Sequence, residues 1–260
     1  MLTKRLIACF DIVKGRVTKA VQFQDNIDVA PAEELAMAMY EAQVDELIFF
    51  DITASAEKRP IDIETVKKVA AKVFIPFTVG GGISNMKDMY NVLKAGAEKI
   101  SIDSMAVRNP KVIELGAKAF GSQCIVLSTQ VKRGAATPSG YEVYIDGART
   151  ATGLDAMEWI KEGEALGAGE ICINSIDQDG TLMGYDLPLM TMAQEAVNVP
   201  LIASGGAGVP QHLLDVFTQT QAQAAIISSM LYSPRLERNY SVQELKAYLL
   251  ENNVAVRPFS

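Results

Sequence analysis

The stretch Phe77-Thr78-Val79-Gly80-Gly81-Gly82-Ile83 decides the fold, because it returns further along the chain as Ile202-Ala203-Ser204-Gly205-Gly206-Ala207-Gly208. Each copy reads as a short strand that stops at glycines. There the backbone can turn sharply and bring bare N–H groups against an anion, usually a phosphate. One glycine cluster alone is a weak signal, since most only punctuate loops. Here each copy is followed by a helical segment, Asn85 to Ala95 and Pro210 to Thr220. A second short strand ending in small hydroxyl residues comes next, Ile100-Ser101-Ile102-Asp103-Ser104 and Ala225-Ile226-Ile227-Ser228-Ser229. Glu46 and Glu170 stand as far apart as Gly81 and Gly205, so the repeat includes more than the glycines. The chain reads as a duplicated half-barrel with two phosphate sites.

Outward from these turns, short apolar runs alternate with helix-patterned segments, which argues for parallel strands joined by helical crossovers. Eight strands are expected, roughly Leu6 to Asp11, Leu47 to Asp51, Ile75 to Val79, Lys99 to Asp103, Cys124 to Gln130, Glu170 to Ser175, Leu201 to Ser204 and Ala224 to Ser228. Helices fill the gaps, among them Ala32 to Ala42, Ile61 to Val73, Pro110 to Ala119, Leu154 to Leu166, Leu187 to Ala196 and Val242 to Glu251. Length alone allows one α/β barrel or two smaller domains. Eight β-α units in 260 residues make a TIM (β/α)8 barrel, a single domain over residues 1–260.

Composition narrows the function. A formal net charge of −7 argues against nucleic acid as the main partner, so an anionic substrate requires locally gathered cations. The cysteines Cys9, Cys124 and Cys172 fall in strands expected to be buried, which suits a reducing cytoplasm better than a disulfide framework. No secretory signal or membrane-spanning run is visible. The lone histidine, His212, and the dispersed cysteines form no metal constellation, and nothing points to a redox cofactor. His212 is expected at the surface.

Two connections are long, Ile12 to Ala30 after strand one and Val131 to Gly153 after strand five. Both leave the C-terminal face of the barrel, where this fold places its sites, so they are candidate lids. The first carries Lys14, Arg16 and Lys19. The second, with its hairpin-like Tyr141-Glu142-Val143-Tyr144 before Asp146-Gly147, suits structural cover.

Residues two apart in a strand share a face. If Asp11 faces the barrel axis at the top, Cys9, Ile7 and Arg5 face it successively lower. The same parity puts Arg5, Glu46, Lys99 and Glu170 at the bottom and Asp11, Asp103, Gln130 and Asn174 at the top. Buried charges are costly unless paired, so the lower four are expected to form a ring of salt bridges. The bland alternative is a barrel plug. Thr78, Ser101 and Ser128 lie between the layers, along a route able to pass a small neutral molecule, though a packed core is the default for barrels.

With these residues in place, Arg5-Leu6-Ile7-Ala8-Cys9-Phe10-Asp11, Asp45-Glu46-Leu47 through Asp51-Ile52-Thr53-Ala54-Ser55, Phe77 through Ile83 and Leu201 through Gly208 resemble the cyclase subunit of imidazole glycerol phosphate synthase, essentially from end to end. The resemblance implies a glutaminase partner docked at the barrel's N-terminal face, around Arg5, Glu46, Glu98, Lys99, Gln123 and Glu170. It implies an ammonia gate made by Arg5, Glu46, Lys99 and Glu170, and passage of ammonia up the barrel to a bisphosphorylated ribulosyl substrate. The products would be imidazole glycerol phosphate and an aminoimidazole carboxamide ribotide. Carried over by position, Asp11 is the first catalytic aspartate and Lys19 the loop lysine. One phosphate site falls on Gly81, Gly82 and Ser104, the other on Asp179, Gly180, Gly205, Gly206 and Ser229. Asp103, Asn174 and Ser228 line the same substrate site.

The chain departs from that family at the mouth. Gln130 stands where the second catalytic aspartate is expected, and an amide cannot exchange a proton near neutral pH. Asp103 replaces asparagine, Gln22 asparagine and Tyr232 histidine, and Asn26-Ile27-Asp28-Val29-Ala30 lacks the usual arginine and glycine. The floor ring is complete. A carboxylate displaced from 130 to 103 is one reading. The favoured one is that Asp103 repels the neighbouring phosphate, at about 1 kcal/mol even in water-like dielectric, and marks a relaxed site. Three functions follow: the cyclase itself; a weakly catalytic ammonia conduit that activates a glutaminase and serves another acceptor, such as a surface-sugar amidotransferase; or the sister isomerase barrel, against which the missing aspartate and the charged floor both count.

Overall fold

The structure is a computed structural model that describes residues 3–21, 24–54, 57, 59–233 and 236–258. Gln22 lies outside the described residues. Numbering only the strands of the barrel, β1 is Arg5–Val13, β2 Glu46–Asp51, β3 Phe77–Gly80, β4 Lys99–Ile102, β5 Ile125–Arg133, β6 Glu170–Ser175, β7 Leu201–Ser204 and β8 Ala224–Ile227. Each pairs in parallel with the next, and β8 returns to β1 through Arg5↔Ala224 and Ile7↔Ile226, so the sheet has no edge. This is the expected eight-stranded (β/α)8 barrel.

Alternation along each strand separates two cores. Leu6, Ala8 and Phe10 of β1 point outward into the layer shared with the helices, while Ile7 and Cys9 point inward to Ile48, Val126, Cys172, Ile202 and Ile226. The helices begin where local chemistry stops the strand or loop. Asn85 accepts from the N–H groups of Lys87 and Asp88 ahead of Met86–Lys94, and Asp155 does the same for Ala156–Ala165. Ser241 and Glu244 form a capping box on Val242–Glu251.

Two boundaries differ from the expected ones for a clear reason. Leu154 belongs to a strand, Thr150–Asp155, and the helix begins only after the Asp155 cap. Cys124 ends a short 3-10 turn, Ser122–Cys124, and is half-buried, so only Cys9 and Cys172 are buried strand cysteines as expected.

The half-barrel repeat is visible in backbone packing. Gly81 and Gly205 both have positive φ, 82° and 93°, and a Cβ on either would run into backbone at the end of a neighbouring strand, Asp51 of β2 for Gly81 and Ser175 of β6 for Gly205. Asp51 and Ser175 are themselves related by the repeat spacing. Glycine is required at both places by the same close approach.

Both long connections are β-structure. β1 runs on into an antiparallel pair, Arg16–Val21 and Gln24–Pro31, through a Lys14-Gly15 turn with φ of 50° and 77°. β5 runs on to pair with Tyr141–Ile145, which pairs with Thr150–Asp155.

Candidate functional site

At the N-terminal end of the barrel the four inward charges close into a ring. Arg5 reaches Glu46 at 2.5 Å and Glu170 at 2.7 Å, and Lys99 reaches Glu170 at 2.8 Å and Glu46 at 3.4 Å. Each carboxylate meets both cations. Burial opposes the charge on Arg5, but Glu170 and Glu46 outweigh it and hold the guanidinium above its ordinary value. Beside the ring, Glu98 accepts from the Phe77 N–H, and Gln123 sits by the Gly121 turn.

Above the floor the interior narrows to Ile7, Ile48, Val126, Ile202 and Cys172, with the hydroxyls of Thr78, Ser101 and Ser128 buried among them. The Ser101 hydroxyl has no partner among the described residues. A polar atom left so carries a cost unless something transient occupies it.

At the C-terminal end opens a cavity of about 830 Å³ that brings together nearly every residue expected there: Asp11, Lys19, Gly81, Gly82, Asp103, Ser104, Gln130, Asn174, Asp179, Gly180, Gly205, Gly206, Ser228 and Ser229. Its position at the ends of the strands follows from the fold. Lys19 is delivered by the strand Arg16–Val21, which turns back over β1. Its Nζ donates to Ser228 Oγ at 2.7 Å and lies 3.8 Å from Asp11. Ser228 Oγ and the Tyr232 hydroxyl, 2.8 Å apart, converge on the Cys9 carbonyl and anchor that contact. Tyr232 is thereby built into the wall rather than offered to the cavity.

The mouth is rich in carboxyls that find few cations. Burial pushes Asp11 above its ordinary value, with Lys19 opposing. Burial pushes Asp179 up to about 6 and Asp103 up to about 7. Asp103 stands at the end of β4, directly before the short helix Ser104–Arg108, and its Oδ2 accepts from Gln130 Nε2 at 2.5 Å. Both residues, expected to face inward from neighbouring strands, line the cavity, and the structure adds the bond between them. On the β6 and β7 side, Asn174 Oδ1 accepts from Ser204.

His212 differs from its expected surface role. Its Nδ1 accepts from the N–H of Gly208 at 3.1 Å, pinning the second glycine turn, and burial lowers its pKa. The spacing of the histidine four residues past a glycine at a helix start was the available signal.

Sequence reading missed Asp51 and Arg59. Asp51 ends β2 and takes the Arg59 guanidinium on both oxygens, at 2.7 and 2.8 Å, while Arg59 also donates to Thr53 and Glu57. Asp51 was legible as a strand-end carboxylate at the C-terminal face; Arg59 lies in a loop with no pattern to mark it. Arg108, Asp146 and Arg149 were missed as well. They line the same side, with Arg108 on Asp146 at 2.6 Å and the Asp146 N–H donating to Ser104 Oγ at 2.9 Å.

Among the described residues no group of three His, Cys, Asp or Glu side chains could hold a metal ion, and no helix is long and apolar enough to cross a membrane. Residues 5–237 match the family described as histidine biosynthesis protein. The protein named imidazole glycerol phosphate synthase subunit HisF in Desulfatibacillum aliphaticivorans is 52% identical over 260 residues, which cover 99% of this chain and 98% of that one. Its namesake in Syntrophobacter fumaroxidans is 50% identical over 99% of both chains, and that in Solidesulfovibrio magneticus 52% identical over 99% of both.

Proposed function

This chain belongs to the histidine biosynthesis protein family, and from that premise we propose that it is the cyclase subunit of imidazole glycerol phosphate synthase, a lyase that uses ammonia from a glutaminase. The observation that carries the reading is the stacking of two different polar layers in one barrel, a closed charge ring at the floor and a carboxyl-lined cavity at the mouth. A barrel stabilised only by packing needs neither.

In this reading the glutaminase docks at the floor face, around Arg5, Glu46, Glu98, Lys99, Gln123 and Glu170. Ammonia passes the ring when a cation swings aside, since each carboxylate then keeps its second cation. It climbs past Thr78, Ser101 and Ser128, where the Ser101 hydroxyl, without a partner among the described residues, offers a hydrogen bond to a small polar guest. At the mouth it condenses with the ketone of the ribulosyl group. One C–N bond forms, one C–O bond breaks, and the oxygen leaves as water carrying two hydrogens from ammonia. Ring closure then forms a second C–N bond, from the new nitrogen to the one-carbon bridge between the two halves of the substrate, and the C–N bond from that bridge to the other half breaks, so that the aminoimidazole carboxamide ribotide leaves with its amine protonated by the hydrogen the ring nitrogen gives up. Each step moves protons, for which Asp11, with Lys19 to set its charge, is placed on the β1 side.

The two substrate phosphates take the two glycine turns, Gly81 and Gly82 with Ser104, and Gly205 and Gly206 with Asp179, Gly180, Ser228 and Ser229. Asn174 and Gln130 hold the substrate between them by hydrogen bonds. No cofactor is required, because condensation and ring closure exchange no electrons with a carrier. The cytoplasm, with its phosphorylated metabolites, is the compartment this chemistry fits.

A second reading rests on Gln130: a chain that keeps the floor and loses an acid/base at the mouth serves as a conduit to another acceptor. Full-length identity of about half to proteins named as the synthase subunit favours the first reading. The separating experiment supplies the ribulosyl bisphosphate substrate and an ammonium salt to the purified chain without glutaminase. Loss of the substrate's absorbance with formation of imidazole glycerol phosphate is expected. An inert chain that still stimulates a glutaminase would establish the conduit instead.

A further inference from the structure

We propose that Asp103 is the acid/base group on the β4–β5 side of the mouth, facing Asp11 across the cavity, and that Gln130 is its positioning residue. The proposal rests on the cyclase reading and adds the residue that carries the protons of the condensation, leaving those of ring closure to Asp11.

Geometry carries it. Asp11 lies in the upper part of β1 and Asp103 directly follows β4, three strands further round the barrel, and both line one cavity, so a substrate held between the glycine turns meets a carboxyl from each of these strands. Asp103 is held by a single uncharged group, the Gln130 amide, whose Nε2 donates to it at 2.5 Å while Oε1 of the same amide has no partner among the described residues. An amide has a donor end and an acceptor end. Turned one way it serves the carboxylate; turned by half a rotation it accepts from the carboxylic acid. A glutamine can therefore follow its neighbour through a complete proton cycle, which a fixed cation cannot do without locking the carboxylate in its charged form.

The charges facing Asp103 agree with that use. Arg108 on the helix after β4 favours the carboxylate and Asp146 from the β5 excursion opposes it, but these two are paired with each other. Cys172 on β6 is a neutral thiol, raised to about 12 chiefly by burial. Burial leaves Asp103 near 7, the range in which a group both gives and takes protons at neutral pH. The same fact weakens the expectation that Asp103 repels the phosphate beside Gly81, since for much of the time the carboxyl is neutral.

The step balances. Protonated Asp103 gives its proton to the ketone oxygen as the ammonia nitrogen bonds to carbon, and its carboxylate takes one back from that nitrogen. A second exchange of the same kind lets the oxygen leave as water. Asp103 ends as it began, with one ammonia in and one water out.

The test measures ammonia-dependent turnover at fixed free ammonia, from pH 5.5 to 9, for the unaltered chain, Asp103→Asn and Gln130→Leu, with thermal melting to check folding. Asp103→Asn is expected to lower kcat on the order of 100-fold or more, the usual worth of such a group, with KM little changed and the limb near pH 7 gone. Gln130→Leu removes a hydrogen bond that stabilises the carboxylate, so its limb should move to higher pH. That readout holds even if Asp103→Asn folds poorly. A kcat within a few-fold of the unaltered chain, or a pH 7 limb that survives Asp103→Asn and so belongs to the substrate's phosphates, would overturn the proposal and leave the cyclase reading standing. No turnover by the unaltered chain would contradict both.

Discussion

At the floor of the barrel two carboxylates meet two cations in a closed ring, whereas at the mouth Asp11 and Asp179 share the influence of one lysine and Asp103 leans on an amide. Both layers arise from the same inward parity of the same strands. The floor neutralises itself, so its charges are spent on one another and on the shape of the opening. The mouth leaves carboxyls poised near their titration points, where a ligand or a proton completes them. One fold thus holds charge in two ways, and the difference separates admission from chemistry.

The sharpest way to break that separation is at Asp11. Asp11→Asn keeps the shape and removes the proton-transfer group on the β1 side, so ammonia-dependent turnover should fall by roughly 100- to 10,000-fold. Loss of less than about tenfold in a steady-state assay would show that the mouth carboxyls are not the chemical groups.

Glu46→Ala probes the floor. It leaves Arg5 and Lys99 with Glu170 alone, in a confined site where Glu46 is only 5% exposed. Chemical denaturation should show a loss of about 3 kcal/mol, the lower end of what breaking a buried pair costs, because both cations keep some contact with water. A loss below about 1 kcal/mol would reduce the ring to a surface-like array.

At the mouth, Asp103 sets the sign of the pH dependence of stability. Its carboxyl binds a proton more tightly in the folded chain, at about 7 against 3.8, so the stability it lends is complete below about pH 4 and is lost as pH rises through 7. Asp103→Asn should therefore flatten the decline between pH 4 and 8 by on the order of 1–2 kcal/mol, discounted for water in the cavity. Denaturation midpoints at several pH values read it directly; an unchanged slope would mean that Asp103 is not raised.

A smaller effect concerns the two glycine turns. Sulfate, which does not titrate, should bind both turns less well at pH 8 than at pH 6, and the Gly81–Gly82 turn should lose more, by roughly 1 kcal/mol, because Asp103 at about 7 gains more charge over that range than Asp179 at about 6 beside Gly205–Gly206. Calorimetry with single-site variants, Gly82→Val and Gly206→Val, separates the two turns.

Much of this was legible because two rules coincide. Strand parity alone placed Arg5, Glu46, Lys99 and Glu170 in one layer and Asp11, Asp103 and Gln130 in another, and the spacing of the glycine turns exposed the half-barrel repeat. The excursions were less legible. Gln24–Pro31 carries only the short apolar alternation Ile27-Asp28-Val29, and it is extended because Arg16–Val21 pairs with both it and β1. The Lys14-Gly15 turn was the other signal, since both residues take positive φ as in tight hairpins. Arg59 and Arg108 were hidden for different reasons. Arg59 meets Asp51 across a local loop with no pattern to mark it, whereas Asp146, the partner of Arg108, lies on the β5 excursion and comes near only once the strands have paired. Asp103 was weighed differently, because burial raises its pKa against the opposing hydrogen bond from Gln130, and a sequence measures neither.

The division of labour between floor and mouth is tested most directly by one ratio, that of glutamine-dependent to ammonia-dependent turnover with the glutaminase bound. Glu46→Gln should lower the ratio, since ammonia made by the partner must pass the ring while ammonium in solution can reach the mouth from above. Asp11→Asn should depress both rates and leave the ratio where it was. A ratio unmoved by Glu46→Gln, or moved equally by both variants, would contradict the account.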